Sequence, residues 1–258
     1  KPQTTRGRIL GIVTDKESQI IFIDTPGLLE PSYKLHESME KQIEHASREA
    51  DLALLLLDSV KPRDRFTLVQ RFLEKNRTPT FALLNKVDLL SEDQIENLLS
   101  NLCNLYKLPD IMPISALMNK NLDSLIAQIK THLPEGPQLY PEDMIAEQPE
   151  RFFAAELIRE AAFEHLEDEL PYSINITIEE FVERTEEKSY ILGIIYVERE
   201  SQKGIVIGRK ASKLQAIGKQ ARESIEELIQ GEVYLELKVK VRSGWRNNES
   251  ALDEFGYL

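Results

Sequence analysis

The chain holds one cysteine, Cys103, so no intramolecular disulfide can form. That residue sits in an apolar helical pattern with Leu98, Leu99, Leu102 and Leu105, which reads as a buried, inert thiol in a reducing cytoplasm. No stretch approaches the ~20 apolar residues that cross a bilayer, so no membrane-spanning helix is expected. No basic-then-apolar leader opens the sequence, whose first residue is Lys1 rather than Met. Cations are scarce: 32 Lys and Arg face 44 Asp and Glu, and the net charge of −12 excludes a general attraction to nucleic acid. Any nucleic-acid site must be a local patch. Internal repeats and low-complexity tracts are absent too, and the four histidines (His36, His45, His132, His165) have no partner spacing that suggests catalysis.

What is present is enough for two domains: 258 residues, 41% hydrophobic and 29% charged. Ile9 to Val13 and Ile20 to Ile23 read as a hairpin about the turn Asp15 to Ser18. A helix-favouring stretch runs to Ala50, and the unbroken apolar run Leu52 to Leu57 suits a strand covered on both faces. The pattern repeats with a helix capped by Asp64 through Lys75, a strand from Thr80 to Leu84, a helix from Asp93 to Tyr106, a strand from Ile111 to Ile114 and a helix from Leu122 to Leu133. Such alternation predicts a mainly parallel sheet with helices on both faces, an α/β domain over residues 1–133. Pro134, Gly136, Pro137, Pro141 and Pro149 mark a stiff linker over 134–150. Residues 151–258 then read αββααβ: a helix from Arg151 to about Asp168, strands from Ile174 to Val182 and Tyr190 to Val197 around the turn Glu186-Glu187-Lys188, the apolar segment Ile205 to Ile207 leading through Gly208 into a helix ending near Gln230, and a strand from Val233 to Val241.

Three motifs stand at strand ends. Asn85-Lys86-Val87-Asp88 matches the demands of guanine: a carboxylate accepts from the ring N–H and the exocyclic amine, a pair adenine lacks. Asn85 can brace neighbouring loops and the Lys86 stem can cover the base; the plain alternative is an Asx turn with solvated charges. Ser115-Ala116 follows another strand, where the Ala116 N–H can reach the guanine carbonyl. Asp24-Thr25-Pro26-Gly27 ends the second strand, where Asp24 can hold the water shell of Mg²⁺ and the Gly27 N–H can approach a third phosphate; otherwise it is a tight turn. Their order is that of GTP-binding domains. At the start, Lys1-Pro2-Gln3-Thr4-Thr5-Arg6 looks like a first switch loop, with the Thr5 hydroxyl as a Mg²⁺ ligand. Leu28 follows Gly27 where a water-orienting glutamine stands in Ras-type switches, so slow turnover is expected and no side chain is assigned as catalytic. The Gly-x-x-x-x-Gly-Lys-Ser/Thr loop is missing, and the sequence reads as beginning about one βα unit into such a domain.

In the second domain, Gly208-Arg209-Lys210-Ala211 feeds a helix. From Ser201 to Arg222 there are six basic residues (Lys203, Arg209, Lys210, Lys213, Lys219, Arg222) and no acidic one, a basic patch suited to phosphates. A helix start with a solvated basic face is the alternative.

With these motifs in this order the whole chain resembles the Era family of bacterial GTPases. Leu170-Pro171-Tyr172-Ser173 opening the second domain's sheet, Val197-Glu198-Arg199-Glu200 and Lys240-Val241-Arg242-Ser243-Gly244-Trp245 add to the likeness. The resemblance implies a P-loop-type GTPase domain joined to a KH domain. It implies GTP hydrolysis with Mg²⁺, and binding of the 3′ end of small-subunit (16S) ribosomal RNA during small-subunit assembly. It places GTP on Thr5, Asp24, Thr25, Pro26, Gly27, Leu28, Asn85, Lys86, Val87, Asp88, Ser115 and Ala116. It places RNA on Lys203, Ile207, Gly208, Arg209, Lys210, Ala211 and Lys213. The expected setting is a cytoplasmic monomer, with peripheral association at the inner face of the cell membrane as the alternative. Ala211 stands where the family's turn has its second glycine, so Ala211→Gly is expected to tighten RNA binding, against a cost of roughly 0.5–1 kcal/mol for glycine in a helix interior. Two readings of other classes remain at this stage: a nucleotide-independent RNA-binding scaffold, and a guanine-nucleotide switch with a protein or membrane partner.

Overall fold

The computed structural model describes residues 6–63, 65–184 and 188–258. They pack as two units: one takes Leu10–Glu30 and Glu40–Ile145, the other Ala146–Leu258 with residues 6–9 and Pro31–Met39.

In the first unit, strands β1 (Ile9–Thr14) and β2 (Gln19–Asp24) pair with each other. Asp15 holds the turn between them, its Oδ1 accepting from the N–H groups of Glu17 and Ser18, each at 2.9 Å. Strands β3 (Ala53–Asp58), β4 (Thr80–Asn85) and β5 (Met112–Pro113) form a parallel sheet in the order β3-β4-β5. Helices α1 (Lys34–Glu49, of which Glu40 onward belongs to this unit), α2 (Phe66–Lys75), α3 (Glu92–Tyr106) and α4 (Leu122–Lys130) alternate with these strands.

Period-two alternation decides which face each strand residue serves. Leu55, Leu57, Ala82 and Leu84 pack with Val69 of α2 and Ile95 and Leu102 of α3, while Leu83 turns the other way to Leu125 and Ile129 of α4. The expected mainly parallel α/β sheet is therefore present. Within the described residues Leu55 and Leu57 of β3 are buried and Leu56 is 57% exposed. Asp64, the expected helix cap, lies outside the described residues; α2 starts instead from Arg65 in the left-handed region, with no side-chain cap. Helix α3 starts from a reciprocal capping box, Ser91 with Gln94, which satisfies two N–H groups that the first turn leaves open.

The second unit runs α5 (Glu150–His165), α6 (Leu170–Ser173), β6 (Asn175–Val182), β7 (Ser189–Val197), α7 (Glu200–Ile207), α8 (Ser212–Ile229), β8 (Val233–Val241) and α9 (Glu249–Glu254). Its sheet has the order β6-β7-β8, the first pair antiparallel and the second parallel. Ala154, Ile158 and Ala161 of α5 and Ile217, Ala221 and Ile225 of α8 bury one face of it against Ile191, Ile195 and Val239. Ile205 to Ile207, read as a lead-in segment, is the last turn of α7. Leu170 to Ser173 forms a short helix rather than opening the sheet, with Pro171 in its first turn, where a missing N–H costs nothing. Of the turn expected at Glu186-Glu187-Lys188, only Lys188 falls among the described residues.

Arg6 is a buried cation in this unit, 2% exposed. Its guanidinium donates to the carbonyls of Ile174 (2.6 Å), Tyr172 (3.0 Å) and Pro171 (3.3 Å), at the C-terminal end of α6 where helix carbonyls carry partial negative charge. Burial pulls its pKa below the usual arginine value.

Gly193 in β7 marks a close approach, since a Cβ there would stand 2.9 Å from Leu237 Cδ2 and 3.1 Å from Ile158 Cδ1. Gly193→Val is expected to overpack this core and cost about 1–3 kcal/mol, read as a lower denaturation midpoint by chemical unfolding. An unchanged midpoint would mean that α5 and β8 sit further from β7 than described.

Candidate functional site

The C-terminal ends of β4 and β5 bring two of the predicted motifs together. Strand β4 ends at Asn85, and Lys86 reverses the chain with φ 66° and ψ 33°, so that Val87–Leu89 forms one 3-10 turn with Val87 buried beneath it. Asn85 Oδ1 accepts from the N–H groups of Lys86 at 2.8 Å and Ala116 at 3.1 Å. Ser115, fully buried, donates its hydroxyl to Asp88 Oδ1 at 2.5 Å and accepts from the Met118 N–H at 3.1 Å. Asn85 and Asp88 are thus each tied to the Ser115-Ala116 loop. An exposed carboxylate is held at one position of this arrangement, while Lys86 is exposed beside it. Leu117 and Met118 flank the loop at 84% and 65% exposure, apolar surface close in sequence to Ser115 and Ala116.

Two residues at the end of β3 that no motif announced touch the same turn. The Ser59 hydroxyl donates to the Lys86 carbonyl at 2.9 Å, and Asp58 Oδ2 meets the Lys86 ammonium at 2.6 Å. Burial works to raise the Asp58 pKa, but the bonds from Lys86 and the Val60 N–H outweigh it and hold the carboxyl below its ordinary value. The sequence signal for these two is only their place at the end of an apolar strand.

Asp24 ends β2 and is exposed, Thr25 is half-buried, Pro26 is buried and Gly27 is exposed. A Cβ on Gly27 would sit 3.4 Å from Arg65 Nη1, and that guanidinium donates to the Leu28 carbonyl. Leu28 packs against the cluster of Val69 and Leu84. Thr5, the expected switch threonine, lies outside the described residues. Among the described residues no group of three or more His, Cys, Asp or Glu could hold a metal by itself.

In the second unit α7 ends at Gly208, whose φ of 73° and ψ of 173° lie in a region open essentially to glycine alone. A Cβ there would also come within 3.0 Å of the Lys213 backbone nitrogen. Arg209 to Ala211 form a 3-10 turn in which Lys210 (φ 52°) and Ala211 (φ 62°) are both left-handed, and α8 begins at Ser212. Ala211 is therefore not in a helix interior, which corrects the cost expected for glycine at this position. Arg209 and Lys210 are exposed, Lys203 and Lys213 half-buried, and Ile207 packs on the core.

The basic patch is smaller than the sequence suggested. Lys219 pairs with Glu223 at 4.0 Å and Arg222 with Glu226 at 2.6 Å, one turn on along α8 in both cases. Lys203, Arg209, Lys210 and Lys213 have no ion-pair partner among the described residues.

Two family models match parts of the chain. Residues 1–86 match the family described as 50S ribosome-binding GTPase and residues 158–246 match the KH domain family. The GTPase Era of Ruminiclostridium cellulolyticum is 40% identical over 258 residues, covering all of this chain and 87% of that protein. A crystal structure of an Aquifex aeolicus Era variant bound to GDP and AlF4⁻ superposes with a TM-score of 0.91 at 39% identity, covering all of this chain and 88% of the other. Era in complex with MgGDPNP and nucleotides 1506–1542 of 16S ribosomal RNA superposes equally well, TM-score 0.91 at 38% identity with the same coverage. With the strand-end motifs, the KH-type turn and this end-to-end likeness in place, the chain belongs to the Era family of GTPases.

Proposed function

We propose that this GTPase holds the guanine of GTP with Asn85, Lys86, Val87, Asp88, Ser115 and Ala116. In the same reading it senses the third phosphate through Thr5 and Asp24 to Leu28, and grips the 3′ end of 16S ribosomal RNA with Lys203, Ile207, Gly208 to Ala211 and Lys213 during small-subunit assembly. The observation that carries the nucleotide part is the convergence of Asp88 on Ser115 and of Asn85 on Ala116, which fixes an exposed carboxylate beside the Asn85 amide where one base could meet them. The related Era seen with MgGDPNP and a 16S fragment supports the RNA part.

Asp24 fits a Mg²⁺ that is bound mainly by phosphates and water, as Mg²⁺ prefers: it offers one exposed hard oxygen donor group, and no cluster of acidic, His or Cys ligands accompanies it among the described residues. There the metal would neutralise phosphate charge. Asp24 would hold a water of its shell and the Thr5 hydroxyl a direct position. No described helix is long and apolar enough to cross a membrane.

Asp88→Asn is expected to shift preference in the full-length protein from GTP toward xanthosine triphosphate, because the amide can donate to the xanthine oxygen that replaces guanine's amine. Competition binding of the two nucleotides checks this, and unchanged GTP preference would remove the guanine assignment.

Arg209→Asp with Lys210→Asp replaces two cations by two carboxylates at the turn. Affinity for single-stranded RNA from the 16S 3′ end should collapse, and the slope of log affinity against log salt should flatten by about 1.4, at ~0.7 per phosphate contact. Wild-type affinity and slope would leave these residues as solvated surface.

Ala211→Gly is expected to stabilise the protein rather than weaken it. An L-residue in the left-handed region costs about 1–2 kcal/mol, more than the ~0.4–1 kcal/mol of chain entropy that glycine adds to the unfolded state. A raised melting temperature together with tighter RNA binding is the expected result, and a lowered one would mean that the turn is not left-handed at this residue.

A further inference from the structure

We infer that Asp58 and Ser59, at the end of β3, are positioning residues of the guanine site, holding the Asn85-Lys86 turn and the Lys86 side chain in the shape that receives the base. The inference rests on the assignment of Asn85 to Asp88 to guanine. Lys86 is not glycine, yet it turns left-handed at φ 66°, a conformation that persists only where its surroundings hold it. Ser59 does so twice: its N–H donates to the Asn85 carbonyl at 3.1 Å and its hydroxyl to the Lys86 carbonyl at 2.9 Å. Ser59 is 5% exposed, so water cannot readily replace its hydroxyl.

Asp58 acts on the side chain of the same residue. Its Oδ1 accepts from the Val60 N–H at 2.8 Å, which fixes the carboxylate, and its Oδ2 holds the Lys86 ammonium at 2.6 Å. A lysine stem covers an apolar or aromatic face steadily only when its charged end is anchored, and Asp58 supplies the anchor. Ser115 and Ala116 meanwhile hold the other side of the loop, through the Asp88 carboxylate and the Asn85 amide. The recognition loop is therefore clamped between the end of β3 and the loop after β5.

The test uses the full-length protein, with GDP and GTP affinities measured by titration and GTP hydrolysis followed at steady state. Ser59→Ala should weaken GDP and GTP alike by about two- to tenfold, the effect of losing one hydrogen bond to a part-buried carbonyl that keeps the Leu89 N–H at 3.2 Å. It should raise KM with kcat within about twofold, since the lost contact serves ground and transition states equally. Ser59→Thr should restore affinity, because the hydroxyl is kept. Asp58→Asn should weaken both nucleotides by about two- to fivefold, as for an exposed pair, and should cause no further loss in a Lys86→Met background. Wild-type affinity in a folded Ser59→Ala protein, or a fall in kcat at constant KM, would overturn the inference. Should Ser59→Ala fail to fold, the Asp58 and Lys86 cycle decides, and fully additive losses there would overturn it. Asp88→Asn separates the two levels: if it fails to favour the xanthine nucleotide the guanine assignment itself falls, whereas a shift to xanthine beside an unaffected Ser59→Ala removes only the role of Asp58 and Ser59.

Discussion

Left-handed backbone at residues other than glycine is the constraint on which both sites depend. Lys86 lets the chain leave β4 and double back so that Asn85 and Asp88 meet the Ser115-Ala116 loop. Lys210 and Ala211, in succession, let α7 end and α8 begin within one short turn that displays Arg209 and Lys210. Each such residue costs about 1–2 kcal/mol relative to ordinary helical geometry, and the compensation is local. At Lys86 it comes from buried Val87, from Ser59 and from the N–H groups that converge on Asn85. At the basic turn it comes from the buried faces of α7 and α8, with Val206 and Ile217 fully enclosed.

Charge is organised with the same economy. In a protein of net charge −12, long-range attraction to a polyanion is unfavourable, so recognition must be short-ranged and concentrated. The pairing of Lys219 and Arg222 with glutamates along α8 subtracts those cations from the patch, and Lys203, Arg209, Lys210 and Lys213 remain around the turn itself. Among the described residues, the unpaired part of the patch is thus decided by ion pairing along α8 rather than by how many cations occur in sequence.

Burial of Arg6 gives the second unit an unusual seam. A guanidinium can be enclosed only where carbonyls meet its fixed fork of donors, and the end of α6 supplies three of them. Trp245 lies nearby, fully buried, with its indole N–H donated to the Ser173 carbonyl at 3.1 Å and the Arg6 guanidinium 5.9 Å from its ring centre. A segment from near the start of the chain and one from near its end therefore share one polar anchor on the short helix of Leu170 to Ser173.

The sequence by itself determined the class of fold and the family to which the chain belongs. Apolar runs with alternating helices imply an α/β sheet, and the strand-end motifs in their order imply a GTPase of the Era family, because each signal is local and lies within a few residues. Helix starts were less legible: Ser91 with Gln94 is a readable capping box, whereas Arg65 begins α2 without any cap. Tertiary structure alone decided the rest. It placed Ser59 and Asp58 against Lys86, buried Arg6 in the second unit, and left Ala211 in the left-handed region outside the helix. The physical reason is the same in each case: burial, ion pairing and backbone handedness depend on neighbours distant in sequence, and no local pattern of residue types encodes which neighbours arrive.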